Sequence, residues 1–324
     1  MRRIFPLLLI LLLLCGCGGN RDAAAPEDAD RLVIFTARSA AVYDDAVREF
    51  ERRTGIWVEV HTADGALPLL EQIAAGQRCD LLLGVTPDCL SACGELFAPY
   101  APEAAADIPG AYRDSEDRWT PFSLLPVVLI YNDQLVQRNV PDSWSSLTSS
   151  AWRGRIACPD PTVSATGCTA LEAMTQVLDG EAEQVLADFV RCVGDVLPTA
   201  EDVVTAVADG RCYVGVTTED LAMQAAASGL SVTVIYPREG SVVQPDCAAI
   251  IADCAHEDNA RAFIDFLLSG EVQERLTRQY RRTVFTPLGD ASLPHALAYD
   301  PYAAGAHQAE TLDIWSSLTA EETP

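Results

Sequence analysis

Short apolar runs and amphipathic stretches alternate along this chain, and that alternation limits its folds more than any other feature. Leu32-Val33-Ile34-Phe35 has the length of a buried strand, and Val42, Ala46, Val47 and Phe50 then recur at helical spacing. Gly55 supplies a stop for that helix. Ile56 to Val60 reads as a second strand, Ala66 to Ala75 as a helix halted by Gly76, and Leu81-Leu82-Leu83 as a third strand. A βαβαβ order predicts a parallel sheet with its ligand site beyond the carboxyl ends of the strands.

The pattern continues downstream. Leu124 to Tyr131 is a long apolar segment, followed by a Pro- and Ser-rich patch from Pro141 to Ser150. Strands are expected at Arg155–Cys158, Cys212–Val216, Val232–Ile235 and Ala248–Ala252. Helices are expected near Gly167–Leu178, Glu201–Ala208, Glu219–Ala227, Glu257–Leu268, Glu271–Arg278 and Ala303–Leu318, with a loop from Pro237 to Pro245. No internal repeat is present. Two α/β lobes with a ligand cleft between them fit this layout.

The first residues fix the compartment. Arg2 and Arg3 precede an apolar run from Ile4 to Leu14, then Leu14-Cys15-Gly16-Cys17. A basic start, a short apolar run and small residues at the break mark a secretory signal, and the run is shorter than the ~20 residues a bilayer span needs. The ending resembles a bacterial lipobox, which implies a signal peptide over 1–16, an acylated Cys17 as the first mature residue and a flexible tether over 17–30. An ordinary signal peptide or a short unlipidated anchor is the plainer alternative.

The formal net charge of −25 becomes more negative still once Arg2 and Arg3 leave with the signal. Such a field repels nucleic acid and anionic membrane surfaces, which leaves the lipid anchor as the expected membrane contact. It does not bar a small anion held by local donors. All 22 cationic side chains are arginine, so no lysine is available as a Schiff base or general base. Beyond Cys15 and Cys17 stand nine cysteines, an odd number, several of them inside apolar runs where they read as small buried hydrophobes. No cysteine or histidine spacing suits zinc, and the chain calls for no metal and no cofactor.

Four loops after strands are candidates for the ligand. Thr36-Ala37-Arg38-Ser39 offers a guanidinium and hydroxyls, with Ser39 equally placed to cap the next helix. Asp64-Gly65 and Thr86 stand in the loops after the second and third strands. The fourth, Pro161 to Gly167, sets Thr162, Ser164 and Thr166 before Gly167, small residues that admit a ligand to the backbone at a helix start. Free N–H groups and the helix dipole attract an anion there. Across from it in sequence, Thr217-Thr218-Glu219-Asp220 offers Thr218 and Glu219, whose carboxylate suits sugar hydroxyls or an ammonium, or a first helical turn.

Taken together, LVIFTARSAAVYDDAVREF, DRWTPFSLLPVVLIYNDQLV, RIACPDPTVSATGCTAL, VADGRCYVGVTTEDLA, VIYPREGS, AFIDFLLSGEVQERL and YRRTVF resemble, in this order, the class II solute-binding proteins of bacterial ABC importers, in their ferric-binding-protein-like group. The resemblance covers about 290 residues. It implies a two-lobed type II periplasmic-binding-protein fold with two hinge crossings, near Pro121 to Pro126 and near Gly240 to Asp246. Lobe 1 would hold residues 31–121 and 246–324, and lobe 2 residues 122–245. It implies a monomeric, non-enzymatic lipoprotein that passes a small ligand to ABC permease subunits outside the cytoplasm.

Ferric binders carry adjacent tyrosines where this chain has Thr217-Thr218-Glu219, and a histidine near Ser39. PTVSATGCTAL resembles instead the loops that cradle phosphate or phosphonate in hexose-phosphate and 2-aminoethylphosphonate binders. A small organic anion is therefore the expected ligand, and ferric iron or a ferric chelate the alternative. A remoter alternative is an enzyme with Cys168, at a helix start, as a nucleophile of lowered pKa.

Overall fold

The computed structural model describes residues 28–63, 65–287 and 296–321. The lipobox, the tether to residue 27 and Asp64 lie outside the described residues. The strands are β1 (Arg31–Thr36), β2 (Trp57–Thr62), β3 (Leu81–Val85), β4 (Phe97–Ala98), β5 (Thr120–Tyr131), β6 (Ile156–Pro159), β7 (Val193–Leu197), β8 (Val214–Thr218), β9 (Thr233–Ile235) and β10 (Val243–Ile251). The helices are α1 (Ala40–Thr54), α2 (Ala66–Ala74), α3 (Pro87–Ser91), α4 (Ala165–Val177), α5 (Ala182–Val190), α6 (Ala200–Ala208), α7 (Glu219–Ala227), α8 (Glu257–Leu267), α9 (Gly270–Arg278) and α10 (Pro301–Glu321).

The main sheet path runs β2-β1-β3-β10-β5-β8-β6-β7. At one end β1 pairs parallel with β2 and β3, and at the other β6 pairs parallel with β7 and β8. These are the halves that βαβ repeats require. Antiparallel β5 and β10 join them. Thr120 to Pro126 of β5 pair with β10, while Val127 to Tyr131 pair with β8 and β9. One twelve-residue strand thus belongs to both lobes. It is buried at every position but the last, which explains its unbroken hydrophobicity. Pro121 sits beside a register shift between Asp246 and Cys247, a place where a missing N–H is tolerated. The segment after α9 crosses there too, since Leu124 and Arg282 form an isolated bridge.

Each lobe buries side chains on both faces of its sheet. Leu32, Ile34, Phe50, Leu81 and Phe263 fill one face in lobe 1, and Phe35, Leu82, Leu90 and Trp119 the other. In lobe 2, Val127, Trp144, Leu171 and Phe189 lie on one side and Val128, Val203 and Val207 on the other. Local signals act as the sequence demands: α1 buries Tyr43, Ala46, Val47 and Phe50, and Gly55 ends it at φ 78°, its N–H donating to the Glu51 carbonyl. This is the architecture of a type II periplasmic binding protein.

Three expectations shift. The Pro237–Pro245 loop is partly strand, because β10 starts at Val243 rather than Ala248. The strand expected at Cys212–Val216 is β8, displaced to Val214–Thr218, so the Thr217-Thr218 pair is strand and buried. Helix α10, expected with lobe 1, lies across both lobes. It touches α3 through Gly305, while Trp315 is buried in the lobe 2 core beside Phe189.

Candidate functional site

The loops at the carboxyl ends of the strands face one another between the lobes, and two contacts close the gap. A Cβ on Gly65 would stand 2.9 Å from the Val163 carbonyl oxygen, so the β2–α2 turn of lobe 1 touches the β6–α4 turn of lobe 2. Gly65 has φ 103°, which only glycine adopts readily. Ser39 Oγ donates to Glu201 Oε1 at 3.5 Å, joining the starts of α1 and α6.

The α4 turn gathers hydroxyl and backbone donors at a helix start. Asp160 Oδ1 accepts from the Thr162 N–H at 2.9 Å and from its hydroxyl at 2.7 Å, which folds the loop. Ser164 is the N-cap of α4, and its side chain makes no capping bond. The first N–H groups of a helix have no partner within it, and here they belong to Ala165, Thr166 and Gly167. Ser164 is half-buried and Thr166 buried. Gly167 is also a packing position, with its N–H still at the helix start. A Cβ there would lie 2.5 Å from the Pro159 carbonyl oxygen and 2.9 Å from Pro161 N and Cα, so its bare face is filled by the chain's own turn.

Other predicted residues serve the seam between the lobes. Arg38 donates to Asp246 Oδ1 from Nε at 3.2 Å and Nη2 at 2.8 Å, and its stem lies against Gly84. Ser39 occupies the N-cap position of α1 without a side-chain capping bond. Thr86, fully buried, stands at the start of α3 with its hydroxyl 3.7 Å from Cys89 Sγ. Thr218 caps nothing but bonds the Asp220 carboxylate. Glu219 accepts from Arg282 Nε at 2.6 Å and Nη2 at 2.7 Å, and from the Tyr236 hydroxyl. Both its oxygens are engaged in holding Arg282 and Tyr236. Burial, then the Glu219 contact, pushes the Tyr236 phenol up to about 12.

The sequence reading missed the cation at the centre of this seam. Arg281 is buried between Asp220 Oδ2 at 3.1 Å, Asp246 Oδ2 at 2.8 Å and Ser123 Oγ at 3.1 Å. Nothing local to Tyr280-Arg281-Arg282-Thr283 marks Arg281 as buried, because its acidic partners lie at Asp220 and Asp246.

The remoter alternative, a Cys168 nucleophile, finds no support. Burial, then Asp88 and Glu172, overcome the Gln308 hydrogen bond and push the Cys168 thiol up to about 12, the reverse of an activated nucleophile. Cys79, Cys89, Cys93, Cys158, Cys168, Cys212, Cys247 and Cys254 are free thiols. Among the described residues no group of three or more His, Cys, Asp or Glu side chains converges to hold a metal.

Residues 94–304 match the family model for bacterial extracellular solute-binding proteins. The chain belongs to that family. It is therefore a binder of solutes outside the cytoplasm and not an enzyme. A probable ABC transporter periplasmic-binding protein of Sinorhizobium fredii is 26% identical over 291 residues, spanning 86% of this chain and 79% of that protein. The periplasmic binding protein AfuA from Actinobacillus pleuropneumoniae, with exogenous fructose-6-phosphate bound, superposes with a TM-score of 0.81 at 20% identity, over 89% of this chain and 98% of that one. The apo ferric ion-binding protein A of Pasteurella haemolytica gives 0.77 at 15% identity, over 91% and 99%. At such identities these two structures establish the shared fold alone. No helix of the described residues is long and apolar enough to cross a membrane.

Proposed function

We propose that this solute-binding protein is the lipid-anchored receptor of an ABC importer and that it captures a small organic anion carrying a phosphate or phosphonate. The observation that carries the reading is the α4 turn. An uncapped Ser164 hydroxyl, the buried Thr166 and the first N–H groups of a thirteen-residue helix gather at the cleft, where Gly65 of the other lobe meets Val163. Donors and dipole there suit an oxyanion. A ligand touching both lobes would favour the closed arrangement over the open one by its differential contacts.

The relative that carries fructose-6-phosphate supports the class of ligand without identifying it. Ferric iron is the weaker reading, because Thr217 and Thr218 are buried in β8 and Glu219 is consumed by Arg282 and Tyr236. A thermal-shift series with fructose 6-phosphate, 2-aminoethylphosphonate, inorganic phosphate and ferric citrate tests it. A phosphoryl or phosphonyl compound should raise the melting temperature by several degrees. A rise with ferric citrate alone, together with a charge-transfer colour, would overturn the anion reading.

A further inference from the structure

A second pocket lies beside the anion cradle and has the opposite charge. It is a cavity of about 450 Å³ where α3, α4 and α10 meet, within the size range of small-molecule sites. Asp88 enters from α3, Glu172 from α4, and Asp300 from the segment just before α10. Among the described residues no arginine lines it, and the chain has no lysine to supply an ammonium of its own. Ala303, Ala304 and Leu312 give it an apolar side.

Asp88 makes this more than an acidic cluster. It is 4% exposed, and its Oδ1 is buried with no hydrogen-bond partner among the described residues. Its other oxygen accepts a weak contact from Cys89 Sγ at 3.9 Å, and the Tyr299 hydroxyl hydrogen-bonds the same carboxylate. A buried carboxylate oxygen without a donor is destabilising, and a cation bearing N–H groups removes the deficit. The start of α3 does not suffice to explain the charge, since that helix has five residues and a correspondingly small dipole. A metal ion fits poorly, because no three acidic, histidine or cysteine side chains of the described residues converge on one point.

We propose that this cavity binds a primary organic ammonium ion, held between Asp88 of lobe 1 and Glu172 of lobe 2, with its carbon skeleton against Ala303, Ala304 and Leu312. A primary ammonium has three N–H donors, enough to reach Asp88 Oδ1 and Glu172 together. A quaternary ammonium has none and leaves the Asp88 oxygen unsatisfied. Because the two carboxylates come from different lobes, the bound amine also bridges the closed arrangement.

The site is sensitive to pH. Burial, then Asp88 and Asp300, push the Glu172 carboxyl up to about 7. The groups around it are Asp88 from α3, Cys168 from its own helix, Tyr299 and Asp300 before α10, and His307 and Gln308 on α10. An ammonium favours the ionised carboxylate, so affinity rises from pH 6 to pH 8.

Calorimetric titration of the full chain with n-butylammonium and 2-phenylethylammonium at pH 8 tests the proposal, with tetramethylammonium, Ca²⁺ and inorganic phosphate as comparisons. Saturable one-to-one binding of the primary amines is expected, at least tenfold tighter than tetramethylammonium and several-fold weaker at pH 6. Asp88→Asn and Glu172→Gln should each weaken it at least tenfold while phosphate binding stays as it was, so the amine site and the anion cradle are read separately. Ala303→Trp, from an exposed position on the rim, should block the amine by bulk with every carboxylate in place, which guards against a folding defect in the other variants. The proposal is overturned if neither primary amine binds, if Asp88→Asn binds it as tightly as the wild type, or if Ca²⁺ binds in preference.

Discussion

Arg281 and Asp246 meet in the buried seam between the lobes, Nη1 2.8 Å from Oδ2, and neither side chain is more than 2% exposed. Asp246 belongs to β10, whose pairing with β5 carries the chain between lobes. Arg38 holds the other oxygen of the same carboxylate, and Asp220 holds the other side of the same guanidinium. Four residues from distant parts of the sequence therefore balance their charges at the crossing. Removing one partner of a buried pair leaves an uncompensated charge, at a cost of about 3–5 kcal/mol. Arg281→Met should lower the urea midpoint accordingly; an unchanged midpoint would show that solvent reaches the seam.

The same pair gives a pH dependence. Burial alone would raise the Asp246 carboxyl, but Arg38 and Arg281 outweigh it and hold it below the ordinary 3.8. The folded value is depressed, so the group's contribution is complete above the ordinary carboxylate range and is lost as pH falls through the folded value. Wild-type stability should decline between pH 4 and pH 2 more steeply than that of Asp246→Asn, measured by urea unfolding at each pH. Parallel curves would remove Asp246 from the acid response.

Glu219→Gln replaces a carboxylate that accepts from Arg282 and Tyr236. A charge-assisted bond lost from a buried site costs about 1.5–3 kcal/mol. The variant should melt at lower temperature, and its ligand preference should not change. A switch of preferred ligand at unaltered stability would return Glu219 to the binding surface.

Much of the fold is legible because apolar spacing reports the sheets directly. The α1 stripe and the Gly55 stop are local signals that packing leaves in place. The loop Pro161–Gly167 is legible for the same reason, being a turn and a helix start adjacent in sequence. What escapes is pairing over distance. Nothing near Glu219 shows that Arg282 and Tyr236 will take both its oxygens, or near Arg38 that Asp246 awaits it 208 residues on. Helix α5 escaped despite buried Val185, Leu186, Phe189 and Val190, because Gly180 and a polar start obscured its onset. β7 is an exposed-edge strand whose Val196 faces solvent, so it lacks the apolar run that marks the others.

Gly167→Ala tests the packing role assigned to that glycine. The added methyl meets the Pro159 carbonyl oxygen at 2.5 Å, and backbone on that side has no flexible end to move. Overpacking of this kind costs about 1–3 kcal/mol. The melting temperature should fall with no ligand present. Wild-type melting would mean that the turn gives way and that Gly167 is free for another purpose.

Cys17 lies outside the described residues, and its acylation rests on the sequence Leu14-Cys15-Gly16-Cys17. We predict that the wild-type chain partitions with membranes and that Cys17→Ser is released or remains unprocessed. Each buried methylene of an acyl chain contributes about 0.8 kcal/mol, so diacylation is enough for stable anchoring. Processing and membrane attachment that survive the substitution would exclude the lipid anchor.

The anion cradle makes the sharpest prediction. Ser164 Oγ is free of a capping role, and Thr166 is buried in the first turn of α4. If both hydroxyls donate to a phosphoryl group, Ser164→Ala with Thr166→Ala removes two bonds to a charged acceptor, each worth about 1.5–3 kcal/mol. A tenfold change in affinity corresponds to about 1.4 kcal/mol, so the double variant should bind at least about a hundredfold more weakly. Its loss should appear for every phosphorylated ligand alike, because the head group is what the turn holds. The backbone donors of Ala165, Thr166 and Gly167 survive the change, so residual binding is expected rather than none. Titration calorimetry with fructose 6-phosphate and inorganic phosphate reads both variants singly and together. Undiminished affinity in the double variant would take the α4 turn out of recognition and move the search to the α6 side of the cleft, where Glu201 meets Ser39.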